Sequence, residues 1–113
     1  MENKLTAKIR IHLFKNDKCF GPGICSLLEE VDKCGSLRKA AMDMNMSYSK
    51  AWKIVKQCEE NLGFKLLIST TGGKSGGGAF LTDDAKKIIN SYNMYFADIE
   101  EYFSKLLDKN FLI

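Results

Sequence analysis

The sequence predicts a mainly α-helical fold with a small β-hairpin, organised as a winged helix-turn-helix with a long C-terminal helix. Two observations support this prediction. A pair of short amphipathic helices separated by a tight turn precedes a glycine-rich hairpin, which is the element order of that fold. After the hairpin, apolar side chains recur at helical spacing to about Leu107, which predicts one long final helix.

The length and composition of the chain bound the remaining possibilities. With 113 residues, 45% hydrophobic and 27% charged, the chain is typical of one globular unit with one core. We therefore expect a DNA-binding part over residues 1–81 and a dimerisation helix over residues 82–113, within one compact domain. Because no run of about 18 apolar residues is present, we expect no membrane partner and a cytoplasmic location.

Residues 8–24 predict a strand, a turn and the start of a helix. Polar and apolar residues alternate from Lys8 to Phe14, which is the period of a strand. Residues 15–18 are predicted to form a turn, and Pro22 is placed to begin a helix. That first helix has an apolar face at helical spacing and is expected to end at Gly35. Its apolar residues are Ile24, Leu27, Leu28 and Val31.

Two further helices follow, each with a capping serine. Ser36 is suited to cap a short helix, and Ser47 is suited to cap a helix that runs from about Tyr48 to Leu62. Gly63 is expected to close the latter. Trp52 lies at helical spacing within an apolar stripe of this helix, so we predict that it is a core residue rather than a side chain that stacks on a base. The stripe comprises Ala51, Trp52, Val55, Cys58 and Leu62.

The next segment predicts a hairpin with a glycine-rich loop. Short strands are expected around residues 64–68 and 79–81, joined by a loop that contains five glycines. The triplet Gly73-Lys74-Ser75 within it resembles part of a phosphate-binding P-loop. However, Ile68 stands where that motif needs a glycine, and a strand follows instead of a helix, so nucleotide binding is excluded. The loop is interpreted as a wing, with a hairpin of no function as the alternative.

The final helix is predicted to begin at Thr82 and to bear a long aromatic and aliphatic stripe. A chain of this size has little core left to cover such a stripe. Packing onto the first helix and packing against a second copy of the chain are both expected. The residues predicted to form a homodimer contact are Ile88, Tyr92, Tyr95, Phe96, Ile99, Tyr102, Phe103 and Leu106.

The sequence predicts no metal site, no cofactor and no enzymatic activity. Its four cysteines include no close C-x-x-C pair, and the only histidine is His12. Free thiols are therefore expected, with Cys58 as a small core residue, and a redox role for the thiols stays open. No pairing of acidic residues indicates acid–base catalysis.

The distribution of charge favours a nucleic-acid partner for the first part of the chain. Residues 1–81 carry 13 Lys and Arg against 8 Asp and Glu, whereas residues 82–113 carry 4 against 6. Ser47, Tyr48, Ser49 and Lys50 would lie at the N-terminal end of the helix that enters the major groove, where they can donate to phosphate oxygens. Judged by periodicity alone, this interpretation is supported no better than the alternative, a plain helical hairpin with a solvated face.

These segments resemble a known family. The residues Gly35-Ser36-Leu37, Ala40-Ala41 and the run from Ser47 to Trp52 are similar to the N-terminal DNA-binding domain of the molybdate-responsive regulator ModE, as is the run from Thr71 to Thr82. The similarity extends from about Lys8 to Phe103, and a looser likeness to the LysR-type winged helix is present. The resemblance implies a dimer that binds palindromic double-stranded operator DNA. The residues expected at the DNA are Ser36, Ser47, Tyr48, Ser49, Lys50, Lys53, Lys56, Thr71, Gly73, Lys74, Ser75 and Gly76.

Two departures from the family affect these expectations. Ser69 stands where the family usually has an arginine, which puts one phosphate contact in question. Full-length members also carry molybdate-binding domains, whereas this chain ends at Ile113, so any sensor is expected to be a separate protein or an unseen site. Because of Ser69 and a net charge of only +3, a second hypothesis is kept, namely a module that dimerises with or titrates a longer regulator without binding DNA itself.

Overall fold

The computed structural model describes residues 5–70 and 78–111. Four helices and two antiparallel hairpins are found in this part of the chain, which agrees with the predicted class. The elements are β1 (Leu13–Lys15), β2 (Asp17–Phe20), α1 (Pro22–Cys34), α2 (Leu37–Asp43), α3 (Tyr48–Leu62), β3 (Leu67–Ser69), β4 (Ala79–Leu81) and α4 (Asp83–Asn110).

The N-terminal hairpin differs from its prediction. A strand was expected over residues 8–14 and a turn over residues 15–18, but the paired strand begins only at Leu13, and a second strand follows at once. The turn is confined to Asn16, whose φ of 69° lies in the left-handed region that asparagine tolerates. The predicted alternation is nevertheless present, because Ile9, Ile11 and Leu13 are half-buried while their neighbours are exposed.

The first three helices begin where the local signals placed them, and α1 and α3 end at the predicted glycines Gly35 and Gly63. Pro22 lies in the first turn of α1, and Gly35 adopts a φ of 71° at its end, a left-handed conformation that favours glycine. The hydroxyl oxygens of Ser36 and Ser47 accept hydrogen bonds from the N–H groups of Lys39 and Lys50 at 3.1 and 3.2 Å. These bonds satisfy two of the N–H groups that a helix start leaves without an intrahelical acceptor.

The core lies between α1 and the elements packed around it. Leu27, Leu28 and Val31 of α1 are fully buried, and the small side chains of Ala40 and Ala41 let α2 approach closely. Cys58 is buried on α3, as predicted. Four cysteines are unpaired, with Cys34 half-buried and the other three buried, which agrees with the expectation of free thiols.

The second hairpin is tied to the helices. Ile68 of β3 pairs with Phe80 of β4, and the N–H of Ala79 donates to the carbonyl of Gly35 at 3.0 Å. β4 therefore rests on the junction between α1 and α2. The loop of this hairpin, with the predicted wing residues Thr71, Gly73, Lys74, Ser75 and Gly76, lies outside the described residues.

Helix α4 continues three residues beyond the predicted end. Thr82 caps it by accepting from the N–H of Ala85 at 3.0 Å, and its 28 residues reach Asn110. At 1.5 Å per residue it is about 42 Å long. The radius of gyration of 17.3 Å exceeds the value of about 13 Å expected for a compact chain of this length, because α4 projects beyond the core. Within the described residues, no helix is long and apolar enough to cross a membrane.

Candidate nucleic-acid interface

Helix α3 presents a polar face that the described part of the chain leaves uncovered. Ser49, Lys50 and Lys53 are exposed on it, and Tyr48 retains 40% of its surface. The opposite face packs into the core through Ala51, which is fully buried. Tyr48, Ser49, Lys50 and Lys53 therefore all lie on the part of the α3 surface that the core does not cover.

The N-terminal end of α3 has the geometry of an anion site. The hydroxyl oxygen of Ser47 accepts a hydrogen bond from the N–H of Lys50 and lies 3.4 Å from the hydroxyl oxygen of Ser49. The N–H groups of Tyr48 and Ser49 belong to the first turn, where no intrahelical acceptor exists, and the helix dipole is positive there. A phosphate oxygen placed at this end would therefore find both hydrogen-bond donors and a favourable field.

Arg38 of α2 joins this face, although the sequence prediction did not include it. Its guanidinium carbon lies 4.3 Å from the ring centroid of Tyr48, which is a cation–π contact. The contact places the guanidinium over the face of the ring and links α2 to the start of α3. One signal was available in the sequence, since Leu37 faces inward and the next residue of a helix must point away from it.

The prediction that Trp52 is a core residue is wrong. Its side chain is 47% exposed, and the ammonium of Lys56 lies 5.6 Å from its ring. Trp52 follows Ala51 by one residue, which is a rotation of about 100° around the helix and places it at the edge of the buried stripe. The large aromatic surface therefore adds to the exposed face instead of the core.

Lys56 differs from the other lysines of the face because it already has an acidic partner. Its ammonium lies 3.4 Å from the carboxylate of Glu59, whose side chain is only 7% exposed. The other oxygen of Glu59 accepts from the N–H groups of Leu66 and Leu67 at 2.7 and 3.3 Å. Glu59 thus connects α3 to the start of β3, a role that the sequence analysis missed.

The electrostatics of the region favour an anionic partner. From Ser36 to Gln57 the chain has five basic residues and a single acidic one, Asp43. The basic residues are Arg38, Lys39, Lys50, Lys53 and Lys56. Ser36 is half-buried and engaged in capping α2, while Ser69 is exposed at the end of β3.

Comparison with known proteins identifies relatives that share this region. Over residues 25–86 the chain matches the family of bacterial regulatory helix-turn-helix proteins of the lysR type. It is 33% identical to the transcriptional regulator ModE of Haemophilus influenzae over 94% of its own length, and 32% identical to the DNA-binding transcriptional dual regulator ModE of Escherichia coli over 96%. It is also 33% identical to the molybdenum-pterin-binding protein MopB of Rhodobacter capsulatus over 70% of its length.

The extent of these matches defines what is shared. The chain spans 40% of the length of the Haemophilus protein, 39% of the Escherichia protein and 29% of the Rhodobacter protein. The family match includes α2 and α3, which form the helix pair, and both strands of the second hairpin. The chain therefore belongs to the lysR family of bacterial regulatory helix-turn-helix proteins.

Proposed function

We propose that this protein is a sequence-specific DNA-binding regulator of transcription that acts as a dimer on palindromic operator DNA. The observation that supports this proposal most is the uncovered face of α3, where exposed lysines and two aromatic side chains surround a helix N-terminus. Family membership and the names of the relatives, which describe transcriptional regulators, point in the same direction.

In this proposal α3 lies in the major groove. Side chains near its N-terminal end reach base edges and phosphates, as in other helix-turn-helix proteins. Lys50 and Lys53 are long, exposed and without an ion-pair partner in the described part of the chain, so they are free to neutralise phosphates. Tyr48, held beside Arg38, offers a hydroxyl donor and a flat apolar surface at the same place.

The wing is assigned to the backbone of the DNA. Lys74, flanked by the small residues Gly73, Ser75 and Gly76, would supply one charge there, and Thr71 one hydroxyl. Glu59 would fix the direction in which the wing leaves the recognition helix, because its carboxylate binds the backbone at the base of β3. In this way Glu59 would couple readout by α3 to the position of the strand that leads into the wing.

The proposed dimer is based on the apolar surface of α4 that the core does not cover. Tyr95 and Tyr102 on this helix are 51% and 61% exposed, and a contiguous exposed apolar face is typical of a protein–protein contact. A two-fold contact would cover them and would place two recognition helices on half-sites about 34 Å apart, one turn of DNA. The contact residues proposed from the sequence lie on this helix.

Fluorescence anisotropy tests the proposal directly. A duplex enriched by selection from a random library, or taken from upstream of the gene for this protein, is titrated with the intact chain at two salt concentrations. A scrambled duplex of the same length and composition is the control. We expect salt-dependent binding to both duplexes and clearly tighter binding to the selected one.

Two results would contradict the proposal. Equal affinity for both duplexes would exclude sequence-specific regulation by this chain. Absence of binding to either duplex at low salt would instead favour the interaction module that dimerises with a longer regulator, a hypothesis motivated by Ser69 and the low net charge.

A further inference from the structure

A cleft lies between the N-terminal hairpin and helix α3. Its volume is about 450 Å³, which falls within the range of sites that hold small organic molecules. The hairpin lines it with Cys19 and Phe20, the first turns of α1 with Ile24, and α3 with Ile54 and Cys58. One wall of the cleft is therefore the helix that carries the candidate nucleic-acid interface.

Hydrogen bonds hold the hairpin on α3 beside this cleft. The side-chain amide of Asn61 donates to the carbonyl of Lys18 at 2.9 Å. The thiol of Cys58 donates to the carbonyl of the next residue, Cys19. Because these bonds fix the two walls relative to each other within one chain, a molecule that enters the cleft meets a site that is already formed, which lowers the cost of binding.

The inner walls of the cleft are apolar and uncharged. Phe20 and Ile24 are buried hydrocarbon side chains. Burial raises the pKa of the Cys58 thiol to about 12, so this wall stays protonated at neutral pH. The charged side chains of the lining, Asp17 and Lys18, are exposed and of opposite sign. These walls therefore suit a neutral apolar body better than an ion.

The sulfur atoms of the lining favour an aromatic body. Cys19, Met46 and Cys58 all line the cleft, and sulfur makes favourable contacts with aromatic rings. A soft metal ion is the other occupant that sulfur suits. However, within the part of the chain that the structure describes, no group of three or more His, Cys, Asp or Glu side chains is placed to hold a metal ion.

His12 and Gln57 add polar groups to the lining. Both side chains are exposed, and they belong to opposite sides of the cleft. A Cβ added at the buried Gly21 would lie 2.6 Å from Nδ1 of His12, so the imidazole packs directly on the glycine backbone. The φ of Gly21 is −167°, which any residue adopts, so the position of the imidazole is what excludes a side chain there. The ring is thus held against the start of α1.

We propose that this cleft binds a small, neutral aromatic molecule whose polar group forms a hydrogen bond with His12 or Gln57. The volume sets the size of the ligand, the uncharged walls and sulfur atoms set the chemistry of its body, and the two side chains set the position of its polar group. This inference goes beyond the proposed function, because the cleft is formed by one chain without DNA.

NMR titration of the intact chain with indole tests the site. Indole is a neutral bicyclic ring with one N–H donor. We expect saturable shifts of the backbone amide signals of Cys19, Gly21, Ile54 and Gln57 at up to millimolar indole. 1-Methylindole keeps the rings but lacks the donor, so it should bind about fivefold more weakly.

Gly23→Leu provides a blocked cleft. Gly23 lines the cleft, and a Cβ at this position would meet no atom within 4 Å. Leucine is also favoured over glycine in a helix, so the variant should fold. We expect it to bind indole at least about tenfold more weakly. Ser26→Leu is the matched control, because it adds the same side chain on the exposed surface of α1 and should leave indole binding unchanged.

Three results would overturn the site: no saturable shifts with millimolar indole, shifts that map away from the cleft, or equal indole affinity of the native chain and Gly23→Leu. Each is read from the protein alone. None of them depends on DNA binding, so failure of the site and failure of the proposed function are distinguishable.

A bound molecule should also act on DNA binding, and this part rests on the proposed function. Indole and DNA would both favour the arrangement in which the hairpin holds α3, so we expect saturating indole to tighten binding to the selected duplex about fivefold. Gly23→Leu should show no such effect. Equal DNA affinity of the native chain with and without indole would overturn this regulatory role, while the NMR titration would still decide the site.

Discussion

The carboxylate of Glu59 accepts a hydrogen bond from the backbone N–H of Leu66 at 2.7 Å and thereby joins α3 to the start of β3. The same oxygen lies 3.3 Å from the N–H of Leu67, and the other oxygen lies 3.4 Å from the ammonium of Lys56. A buried carboxylate with three donors is well satisfied, so it fixes the position of β3 relative to α3.

Replacement of Glu59 by alanine should destabilise the protein by about 2 kcal/mol, because two N–H groups at the base of the wing lose their acceptor and one of them is buried. Urea unfolding followed by circular dichroism measures this change. Glu60→Ala is the control, since Glu60 is exposed on the same helix and should change the unfolding free energy little. A loss below about 0.5 kcal/mol for Glu59→Ala would show that the connection is not stabilising.

Replacement of Lys53 by glutamine should weaken binding to specific and random DNA alike and reduce the slope of log K against log salt by about 0.9, because one phosphate contact is lost. Anisotropy titrations over a series of salt concentrations give the slope. Lys56→Gln should reduce it less, since the ammonium of Lys56 is already shared with Glu59 and Trp52. Lys87→Gln on α4 is the reference variant, for which we expect no change of slope. If Lys53→Gln leaves the slope as unchanged as Lys87→Gln does, Lys53 does not contact the DNA.

Trp52 should report on DNA binding through its own fluorescence. It is the only tryptophan of the chain and is 47% exposed, so free protein should emit at the long wavelengths of a hydrated indole. Saturating DNA should shift the emission to shorter wavelength or quench it, because the ring would leave water. An unchanged spectrum at saturation, judged by anisotropy on the same sample, would place Trp52 away from the DNA.

Most of the fold could be predicted because its boundaries depend on local chemistry. Ser36, Ser47 and Thr82 cap helices through hydrogen bonds to residues three positions ahead, and Gly35 and Gly63 end helices by a left-handed conformation. These signals do not depend on how the chain packs. Apolar periodicity then identified the faces of α1 and α2 that enter the core.

The remaining features depend on tertiary packing that periodicity does not contain. β2 was missed because its first residues, Asp17 and Lys18, are polar and exposed, so they resembled a longer turn. Trp52 lies at the edge of a helical stripe, and only the positions of the neighbouring elements decide whether an edge residue is covered. Arg38 joins the candidate site because α2 crosses near Tyr48, which is a relationship between two helices.

Stability should fall at alkaline pH, in part because of Cys58. Burial, with smaller contributions from Cys19 and Glu59, raises the pKa of Cys58 to about 12 from its ordinary value of 9.0. Between these values the unfolded thiol releases its proton while the folded one keeps it. The stabilising contribution is therefore complete below pH 9 and is lost progressively as the pH rises toward 12.

Urea unfolding of the native chain and of Cys58→Ala, each at pH 7 and at about pH 10.5, isolates this contribution from that of other groups. We expect the unfolding free energy of the native chain to decrease more between the two conditions than that of the variant. Equal decreases would mean that Cys58 does not contribute to the alkaline instability.

Tyr92 should stabilise its own chain before any dimer forms. Its ring packs edge-on against Phe20 at a centroid distance of 5.2 Å, and its hydroxyl donates to the carbonyl of Ile11 at 2.8 Å, which attaches the segment before β1 to α4. Tyr92→Phe keeps the ring but leaves that carbonyl without this donor, so the unfolding free energy should fall by about 1 kcal/mol. Tyr48→Phe, which removes a hydroxyl from an exposed ring, is the control.

Tyr92 could stabilise its own chain or a contact between two chains, and the two roles predict different results. If it acts inside one chain, the stability loss of Tyr92→Phe is independent of protein concentration, and the dimer constant measured by sedimentation stays unchanged. If it acts across the interface, as the sequence pattern alone allowed, the loss instead grows with the dimer fraction. Because Tyr92 is only 5% exposed within its own chain, we expect the concentration-independent result.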